Sequence, residues 1–169
     1  MDIHTKRLYL MPVAKEHVPE IFANFNAQVT EYMIPAPASE ISETYDVVCE
    51  FIKQRQAGTD YVYAIVLRDS NEFVGLVGLH YLKSDIPHLG IWTKLSAQGN
   101  HYGREAIGGV IEYAKRVGIS KLCYPVDYRN IASKKIPMFY GGQLVSASEA
   151  VETAGGKVLQ IEKYEIVLD

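Results

Sequence analysis

The segment at residues 98–104 has the residue types best suited to bind a ligand, because it joins a predicted strand to a predicted helix through two glycines. The first N–H groups of a helix lack partners inside the helix, and the helix dipole places positive potential there. Gly99 and Gly103 have no Cβ, so the backbone can approach a diphosphate closely, and Arg104 adds a cation. These features predict an anion-binding turn. The alternative is a tight strand–helix turn with an exposed arginine.

The elements that must position this segment form a predicted α/β domain, with a largely antiparallel sheet in the middle and helices packed against it. Apolar residues at helical spacing predict four helices, at residues 15–24, 39–58, 104–117 and 130–140. Runs of β-branched and aromatic residues predict seven strands, at residues 7–11, 61–67, 73–81, 88–93, 121–127, 143–150 and 158–167. Ser39 or Ser42 is suited to cap the second helix, and Gly118 is suited to end the third.

The composition predicts one globular domain over residues 1–169, since 48% of the residues are hydrophobic and 22% are charged. The net charge of −3 and the lack of a basic stripe argue against nucleic-acid binding. Cys49 and Cys123 lie far apart without metal-ligand spacing, so we expect no metal site and reduced thiols in a cytoplasmic protein. No segment has the length of a membrane span or the pattern of a signal peptide. We expect a monomer or a homodimer.

Residues 98–106, with the sequence Gln-Gly-Asn-His-Tyr-Gly-Arg-Glu-Ala, resemble the Q/R-x-x-G-x-G/A pyrophosphate loop of the GNAT superfamily of acyl-CoA-dependent N-acetyltransferases. Three further stretches resemble its ribosomal-protein-alanine (RimJ/RimL-like) subgroup in order and spacing. They are residues 5–10 for a T-x-R-L-x-L strand, 89–92 for an iGYW strand and 130–133 for an N-x-A-S helix start. The resemblance covers roughly residues 5–142.

The resemblance implies the GNAT fold, in which helices flank a central mixed, largely antiparallel sheet. It also implies direct transfer of the acetyl group of acetyl-CoA to a primary amine, on a protein N-terminus or a small molecule. The strand at 88–93 is expected to splay from its neighbour, so that its free N–H groups hold the pantetheine and the thioester carbonyl. The residues implied to contact acetyl-CoA are Ile91, Trp92, Thr93, Gln98, Gly99, Asn100, His101, Tyr102, Gly103, Arg104, Asn130 and Ser133.

The resemblance also points to residues with acid–base chemistry. His88 stands where relatives often have a glutamate base, and His80 is a second candidate that faces His88 if the hairpin turns about Ser84. Ser133 is implied to protonate the departing thiolate, with Tyr140 as the fallback. The alternatives are ordinary histidines at strand ends and a core tyrosine at a helix end.

Two departures from the family pattern leave a second function open. His101 occupies the position of the middle glycine of the loop, so either the loop is shifted or the imidazole faces the phosphates. The tyrosine that acts as acid in some relatives is also absent, because Pro137 stands at its position. The alternative function is therefore a non-catalytic acyl-CoA-binding regulatory module of the same fold.

Three further features concern the surroundings of the site. The amine is expected to enter opposite the CoA, over the loop at 32–39 and the strand near Tyr124, and the slight acidity mildly favours a cationic acceptor. The lysine pair at 134–135 either faces the 3′-phosphate of CoA or is solvated. The glycine pair at 108–109, inside the third helix, predicts close packing against the sheet or the CoA.

Overall fold

The computed structural model describes all 169 residues, which form an eight-stranded sheet with helices on both faces. The strands are β1 (Ile3–His4), β2 (Leu8–Pro12), β3 (Tyr61–Leu67), β4 (Phe73–His80), β5 (His88–Thr93), β6 (Lys121–Asp127), β7 (Gln143–Glu152) and β8 (Val158–Val167). The helices are α1 (Val18–Asn24), α2 (Ile41–Ala57), α3 (Tyr102–Arg116) and α4 (Ile131–Phe139). None of them combines the length and the apolar character needed to cross a membrane.

The strand order across the sheet is β1-β2-β3-β4-β5-β6-β8-β7. Every neighbouring pair of strands is antiparallel except β5 and β6, which run parallel. α3 supplies the long crossover connection that a parallel pair needs. The predicted mixed, largely antiparallel sheet flanked by helices is therefore confirmed.

The two faces of the sheet bury separate hydrophobic clusters, because successive side chains of a strand point in opposite directions. On one face, Val77 and Leu79 of β4 belong to the same cluster as Val110 of α3. On the other face, Leu76 of the same strand belongs to a smaller cluster with Val48 of α2. Helices α3 and α4 thus cover one face, while α1 and α2 cover the other.

The parallel strands β5 and β6 share a single paired position, His88 with Cys123. By contrast, β4 and β5 pair at six positions along the whole length of β5. Residues 89–93 of β5 therefore have one unpaired edge, and they border a gap between β5 and β6 that we call the seam. The predicted splay of this strand from its neighbour is confirmed.

Local signals explain the ends of α3 and α4. α3 ends at Arg116 and is followed by Gly118 in the left-handed conformation (φ 84°), as predicted. α4 begins after Asn130, whose side chain accepts a hydrogen bond from the backbone N–H of Ser133 (3.3 Å). This cap fixes the position of Ser133 relative to the end of β6.

The predicted serine cap of α2 is wrong, because neither Ser39 nor Ser42 caps the helix. The N-cap is Glu40, which makes no side-chain capping bond. The Glu43 carboxylate instead accepts hydrogen bonds from the backbone N–H of Ser39 (2.8 Å) and from its hydroxyl (3.0 Å). The Ser39 hydroxyl is therefore a donor to Glu43 and does not serve the first N–H groups of α2.

The glycine pair in α3 is explained by close packing against the protein on two sides. A Cβ on Gly109 would lie 2.9 Å from the methyl carbon of Thr5, which precedes β2. A Cβ on Gly108 would overlap the hydroxyl of Tyr140, which donates a hydrogen bond to the backbone carbonyl of Arg104 (2.6 Å). α3 thus approaches the first strands on one side and the end of α4 on the other.

Candidate active site

A cavity of about 690 Å³ lies beside the seam, between the end of β5, the start of α3 and α4. Val29 and Met33, from the segment between α1 and α2, complete its wall. Since α1 and α2 cover one face of the sheet and α3 and α4 cover the other, the cavity is bordered by elements of both faces. Eleven of the twelve residues implied to contact acetyl-CoA line this cavity, and the exception is Asn100.

The start of α3 provides a row of unpaired backbone donors at the cavity. None of the six N–H groups from Gly99 to Arg104 has an acceptor within the protein, and the next one, of Glu105, donates to the carbonyl of His101 (3.0 Å). Gly99 and His101 both have left-handed backbone conformations (φ 85° and 61°). Such a turn before a helix gathers N–H groups around one point, which suits phosphate oxygens.

His101 keeps the left-handed turn although it is not a glycine. It occupies the N-cap position of α3 with φ 61° and ψ 20°. This conformation costs roughly 1–2 kcal/mol for a residue that carries a Cβ. The His101 side chain makes no capping bond and lines the cavity. The backbone of the loop thus keeps the left-handed turn that a glycine would adopt, and His101 borders the cavity.

Two cationic side chains line the cavity, Arg104 and Lys135. The Arg104 guanidinium lies 4.2 Å from the ring centroid of Phe139, a cation–π contact that holds the guanidinium at the cavity wall. Lys134 is directed elsewhere and pairs with Glu162 of β8 (3.0 Å). Of the two neighbouring lysines, only Lys135 is therefore placed to meet an anionic ligand.

A group of hydrogen bonds behind the loop fixes its shape. Glu105, in the first turn of α3, accepts from the hydroxyl of Thr5 (2.6 Å), and from the backbone N–H (2.7 Å) and Nε (2.6 Å) of Arg7. Arg7 also donates to the carbonyl of Asn100 (3.0 Å). Burial raises the pKa of Glu105, but the hydrogen bonds from Thr5 and Arg7 outweigh it and leave the pKa lowered. The carboxylate of Glu105, which lies beside the unpaired N–H groups, is thus ionised, and its negative charge is balanced by Arg7.

Ser133 is the only one of the three residues implied in catalysis that lines the cavity. Its Oγ lies 2.7 Å from the hydroxyl oxygen of Tyr124, which is 2% exposed at the centre of β6. Burial raises the pKa of Tyr124 well above its usual range, so this hydroxyl stays protonated. The sequence did not indicate the Tyr124–Ser133 contact, because it joins a strand residue to a residue of the following helix.

Tyr140 lies outside the cavity lining, and its hydroxyl serves the packing of two helices. Its proton is donated to the carbonyl of Arg104 (2.6 Å), and burial raises the pKa of the phenol. This contact matches the alternative in which Tyr140 is a core tyrosine at a helix end.

His88 also lies outside the cavity lining, at the closed end of the seam. It pairs with His80 across β4 and β5, as predicted from the turn about Ser84. Burial lowers the pKa of His88, and the charges of Lys163 and His80 act in the same direction. The His88 ring meets the ring of Tyr81 edge-on, with 5.1 Å between centroids.

Asp127 anchors the turn that leads from β6 to Asn130 and Ser133. Its carboxylate is fully buried and accepts hydrogen bonds from Arg129 (2.8 and 2.9 Å) and from the backbone N–H of Gln160 (2.9 Å). The bonds from Arg129 are the main cause that lowers the pKa of Asp127 to about 2. The turn is therefore held by a charged group that stays ionised at any physiological pH.

Comparison with protein families gives a match over most of the chain. Residues 7–143 match the family model of the acetyltransferase (GNAT) domain. The chain is also similar to the uncharacterised N-acetyltransferase YoaA of Bacillus subtilis (strain 168), with 24% identity over 98% of this chain and 96% of that protein.

Two solved structures show the same fold. The ribosomal alpha-N-protein acetyltransferase RimL, in complex with coenzyme A, gives a TM-score of 0.90 at 20% identity, covering 100% of this chain and 99% of that chain. The microcin C7 self-immunity acetyltransferase MccE, in complex with acetyl-CoA and AMP, gives a TM-score of 0.85 at 17% identity, covering 96% of this chain and 93% of that chain.

Proposed function

Because the chain belongs to the GNAT acetyltransferase family, we propose that it transfers the acetyl group of acetyl-CoA directly to a primary amine. One observation carries this proposal. The cavity beside the seam has six unpaired N–H groups at the start of α3 and a hydroxyl pair, Tyr124 with Ser133, on its other side.

The residues around the cavity fit acetyl-CoA. The unpaired N–H groups from Gly99 to Arg104 suit a pyrophosphate, and the cations Arg104 and Lys135 suit its charge. The unpaired edge of residues 89–93 offers backbone groups to the amides of a pantetheine arm. When bound, acetyl-CoA supplies the activated thioester, and all other chemistry comes from protein side chains and the acceptor.

Two proton transfers are required of the protein. A chain-terminal amine titrates near about 8 and a lysine amine near about 10, so a base must remove a proton before the nitrogen can attack. The departing sulfur in turn gains from a proton donor. Ser133 is suited to this second role because it lines the cavity, and the buried Tyr124 hydroxyl, which stays protonated, orients the Ser133 hydroxyl through their hydrogen bond.

The acceptor side of the site is held in place by two contacts. The Nζ of Lys157, in the β7–β8 turn, donates to the carbonyl of Thr30 (2.7 Å). The guanidinium of Arg129 lies 5.2 Å from the ring centroid of Tyr32. Both contacts tie the segment between α1 and α2 to the carboxyl-terminal half of the sheet, so this segment forms a fixed wall for an acceptor.

The acceptor class that we favour is the α-amine of a protein or peptide N-terminus. RimL, whose fold this chain shares, is an alpha-N-protein acetyltransferase. A small-molecule amine is the second candidate, because MccE, a self-immunity acetyltransferase, has the same fold.

An acceptor panel tests the function. Thermal unfolding is first measured with and without acetyl-CoA, and a rise in Tm is expected at saturating concentration. Thiol release is then followed with peptides that differ in their N-terminal residue, with acetylated peptides as matched controls, and with free polyamines. We expect turnover with at least one free amine. A Tm shift without turnover on any amine would instead assign the chain to the non-catalytic acyl-CoA-binding class, and no Tm shift contradicts both functions.

A further inference from the structure

Asp60 and His80 form a carboxylate–imidazole pair near the closed end of the seam. Asp60 precedes β3, and His80 is the last residue of β4. The Asp60 carboxylate lies 3.1 Å from Nδ1 of His80 and also accepts a hydrogen bond from the backbone N–H of Tyr81 (3.3 Å). The Asp60 side chain is 13% exposed and the imidazole is 30% exposed. The ring is therefore fixed at Nδ1 and accessible elsewhere.

Two glycines make room for this ring. Gly78 and Gly90 are cross-strand partners and lie on the same face of the sheet as His80. A Cβ on Gly78 would overlap Nε2 of His80, and a Cβ on Gly90 would lie 3.1 Å from it. The imidazole thus lies across the backbone of both strands with Nε2 close to β5. Nε2 has no hydrogen-bond partner within the protein and is not sealed from solvent.

The position of Nε2 is next to the start of the seam. Gly90 lies two residues beyond His88, the last position at which β5 pairs with β6. Trp92, two residues further on the same face, lines the cavity and lies roughly 7 Å along the strand. This is the face covered by α1 and α2, opposite the start of α3. His80 does not itself line the cavity, so an acceptor amine reaches Nε2 by extending from Trp92 about two residues along β5 towards the closed end of the seam.

We propose that His80 is the general base of the acetyl transfer and that Asp60 is its positioning residue, an inference that rests on the proposed function. Because Asp60 accepts the hydrogen bond from Nδ1–H, the neutral imidazole keeps its lone pair on Nε2. Nε2 takes one proton from the ammonium group of the acceptor and leaves a neutral amine.

The remaining bonds and protons balance. The amine nitrogen forms a bond to the thioester carbonyl carbon while the carbon–sulfur bond breaks. The departing sulfur takes a proton from Ser133, and the serine regains one from the acylated nitrogen through solvent. His80 then releases its proton to water. One ammonium and one thioester thus give one amide, one thiol and one proton.

The groups that face His80 are Asp60, His88 and Tyr81, from the segment before β3, from β5 and from the turn after β4. Asp60 is the only carboxylate within ion-pair distance of His80. His88 has no carboxylate partner, and burial lowers the pKa of its imidazole. The arrangement thus gives His80, and not His88, an orienting acid.

The test uses two acceptors of the same shape that differ in basicity, one protonated and one already neutral at pH 7. For His80→Gln we expect kcat/KM to fall by about 100-fold or more with the protonated amine, and by far less with the neutral one. The acid limb of the pH profile with the protonated amine should move to higher pH, towards the pKa of the amine itself, because only neutral amine can then react. His4→Gln, an exposed histidine on β1, is the matched control and should behave as wild type.

The positioning role of Asp60 is measured separately. Asp60→Asn should lower kcat with the protonated amine by about tenfold and leave KM for acetyl-CoA unchanged, while the exposed Asp85→Asn should change neither. If His80→Gln does not fold, His80→Ala is assayed with added imidazole, which is expected to restore turnover.

Three outcomes overturn the inference. They are an equal loss with both amines, an acid limb that stays at its wild-type pH in His80→Gln, and a limb that moves in His88→Gln instead. A wild-type protein that binds acetyl-CoA but acetylates no amine overturns the proposed function as well, and the wild-type assay alone reveals that case.

Discussion

Tyr124 and Ser133 share a hydrogen bond of 2.7 Å between their hydroxyl oxygens, although one lies on β6 and the other on α4. Tyr124 is enclosed by the core, whereas Ser133 lines the cavity. The pair therefore connects a buried, permanently protonated phenol to a hydroxyl that meets the ligand.

Removing either hydroxyl should slow the chemical step. For Ser133→Ala we expect kcat to fall by about 10²-fold, since general-acid contributions have this magnitude, with little change in KM for acetyl-CoA. For Tyr124→Phe we expect a smaller fall, because Ser133 keeps its hydroxyl and loses only the contact that orients it. Steady-state thiol release measures both, and the exposed Ser148→Ala on β7 is the control. A Ser133→Ala variant with wild-type kcat would remove the serine from the mechanism.

The contact between Gly108 and Tyr140 predicts a coupled effect on stability. Gly108→Ala gains about 1 kcal/mol in helix propensity, but overlap with the Tyr140 hydroxyl costs roughly 1–3 kcal/mol. We therefore expect net destabilisation in urea-induced unfolding. Tyr140→Phe alone should cost about 1 kcal/mol through its lost hydrogen bond to Arg104.

The double variant of Gly108→Ala and Tyr140→Phe separates packing from propensity. Because Tyr140→Phe removes the overlapping oxygen, Gly108→Ala should lower the free energy of unfolding less in the Tyr140→Phe protein than in wild type. Strictly additive free energies of unfolding would show that the two residues do not interact. Tyr140→Phe is also assayed for activity, and a large loss of kcat would show that Tyr140 donates a proton in the reaction.

The left-handed conformation of His101 predicts that glycine stabilises the protein at this position. His101→Gly relieves roughly 1–2 kcal/mol of backbone strain, partly offset by the greater freedom of glycine in the unfolded chain. His101→Ala keeps the strain and is the matched control. We expect a higher Tm only for the glycine variant.

The same two variants test how the His101 side chain affects the binding of coenzyme A. Since the imidazole lines the cavity, we expect coenzyme A to bind more weakly to both variants in isothermal titration. Tighter binding to His101→Gly would mean instead that the imidazole crowds the phosphates.

The buried carboxylate of Asp127 predicts a loss of stability in acid. Its folded pKa is about 2, whereas an unfolded aspartate titrates near about 3.9. A lowered folded pKa contributes stability above the unfolded value, and this contribution is lost as the pH falls through the folded value. We expect about 2–3 kcal/mol to disappear progressively between about pH 5 and pH 1, with most of the loss between pH 4 and pH 2.

Urea unfolding at several pH values checks this expectation. Asp127→Asn should be much less stable than wild type at pH 6, and the difference should shrink steadily towards pH 2. The exposed Asp69→Asn serves as the control and should show a small difference at every pH. A difference for Asp127→Asn that does not change with pH would contradict the assignment.

Most of the fold was predictable because its signals are local. The bounds predicted for β3 coincide with the structure, and those predicted for β4 and α3 differ from it by one or two residues. β1 was not predicted, because two residues carry no pattern of their own. The cap of α2 was mispredicted because Glu43, four residues after Ser39, takes the serine hydroxyl as a donor.

The site was predictable only where its residues are contiguous in the chain. The loop at 98–104 is one continuous motif, so its unpaired N–H groups could be inferred. Glu105 and Thr5 lie 100 residues apart, and His80 and Asp60 lie 20 apart. Such contacts depend on how distant elements pack and pair, and short-range patterns do not contain this information. The register of β3 with β4, which sets Tyr61 opposite Leu79, is what brings Asp60 to His80.

The seam also determines where the sheet has strand edges with unpaired backbone groups. Unpaired strand edges normally lie on the outside of a protein, where a strand of another molecule can add to them and begin aggregation. Here parts of β5 and β6 keep such edges inside the molecule, between α4 and the segment that joins α1 to α2. These covering elements leave no room for a further strand to pair along the edges, whereas a narrow, extended molecule with amide groups can still enter. The unpaired backbone groups of β5 and β6 thus remain available to bind a ligand, while the elements around them hinder pairing with another copy of the protein.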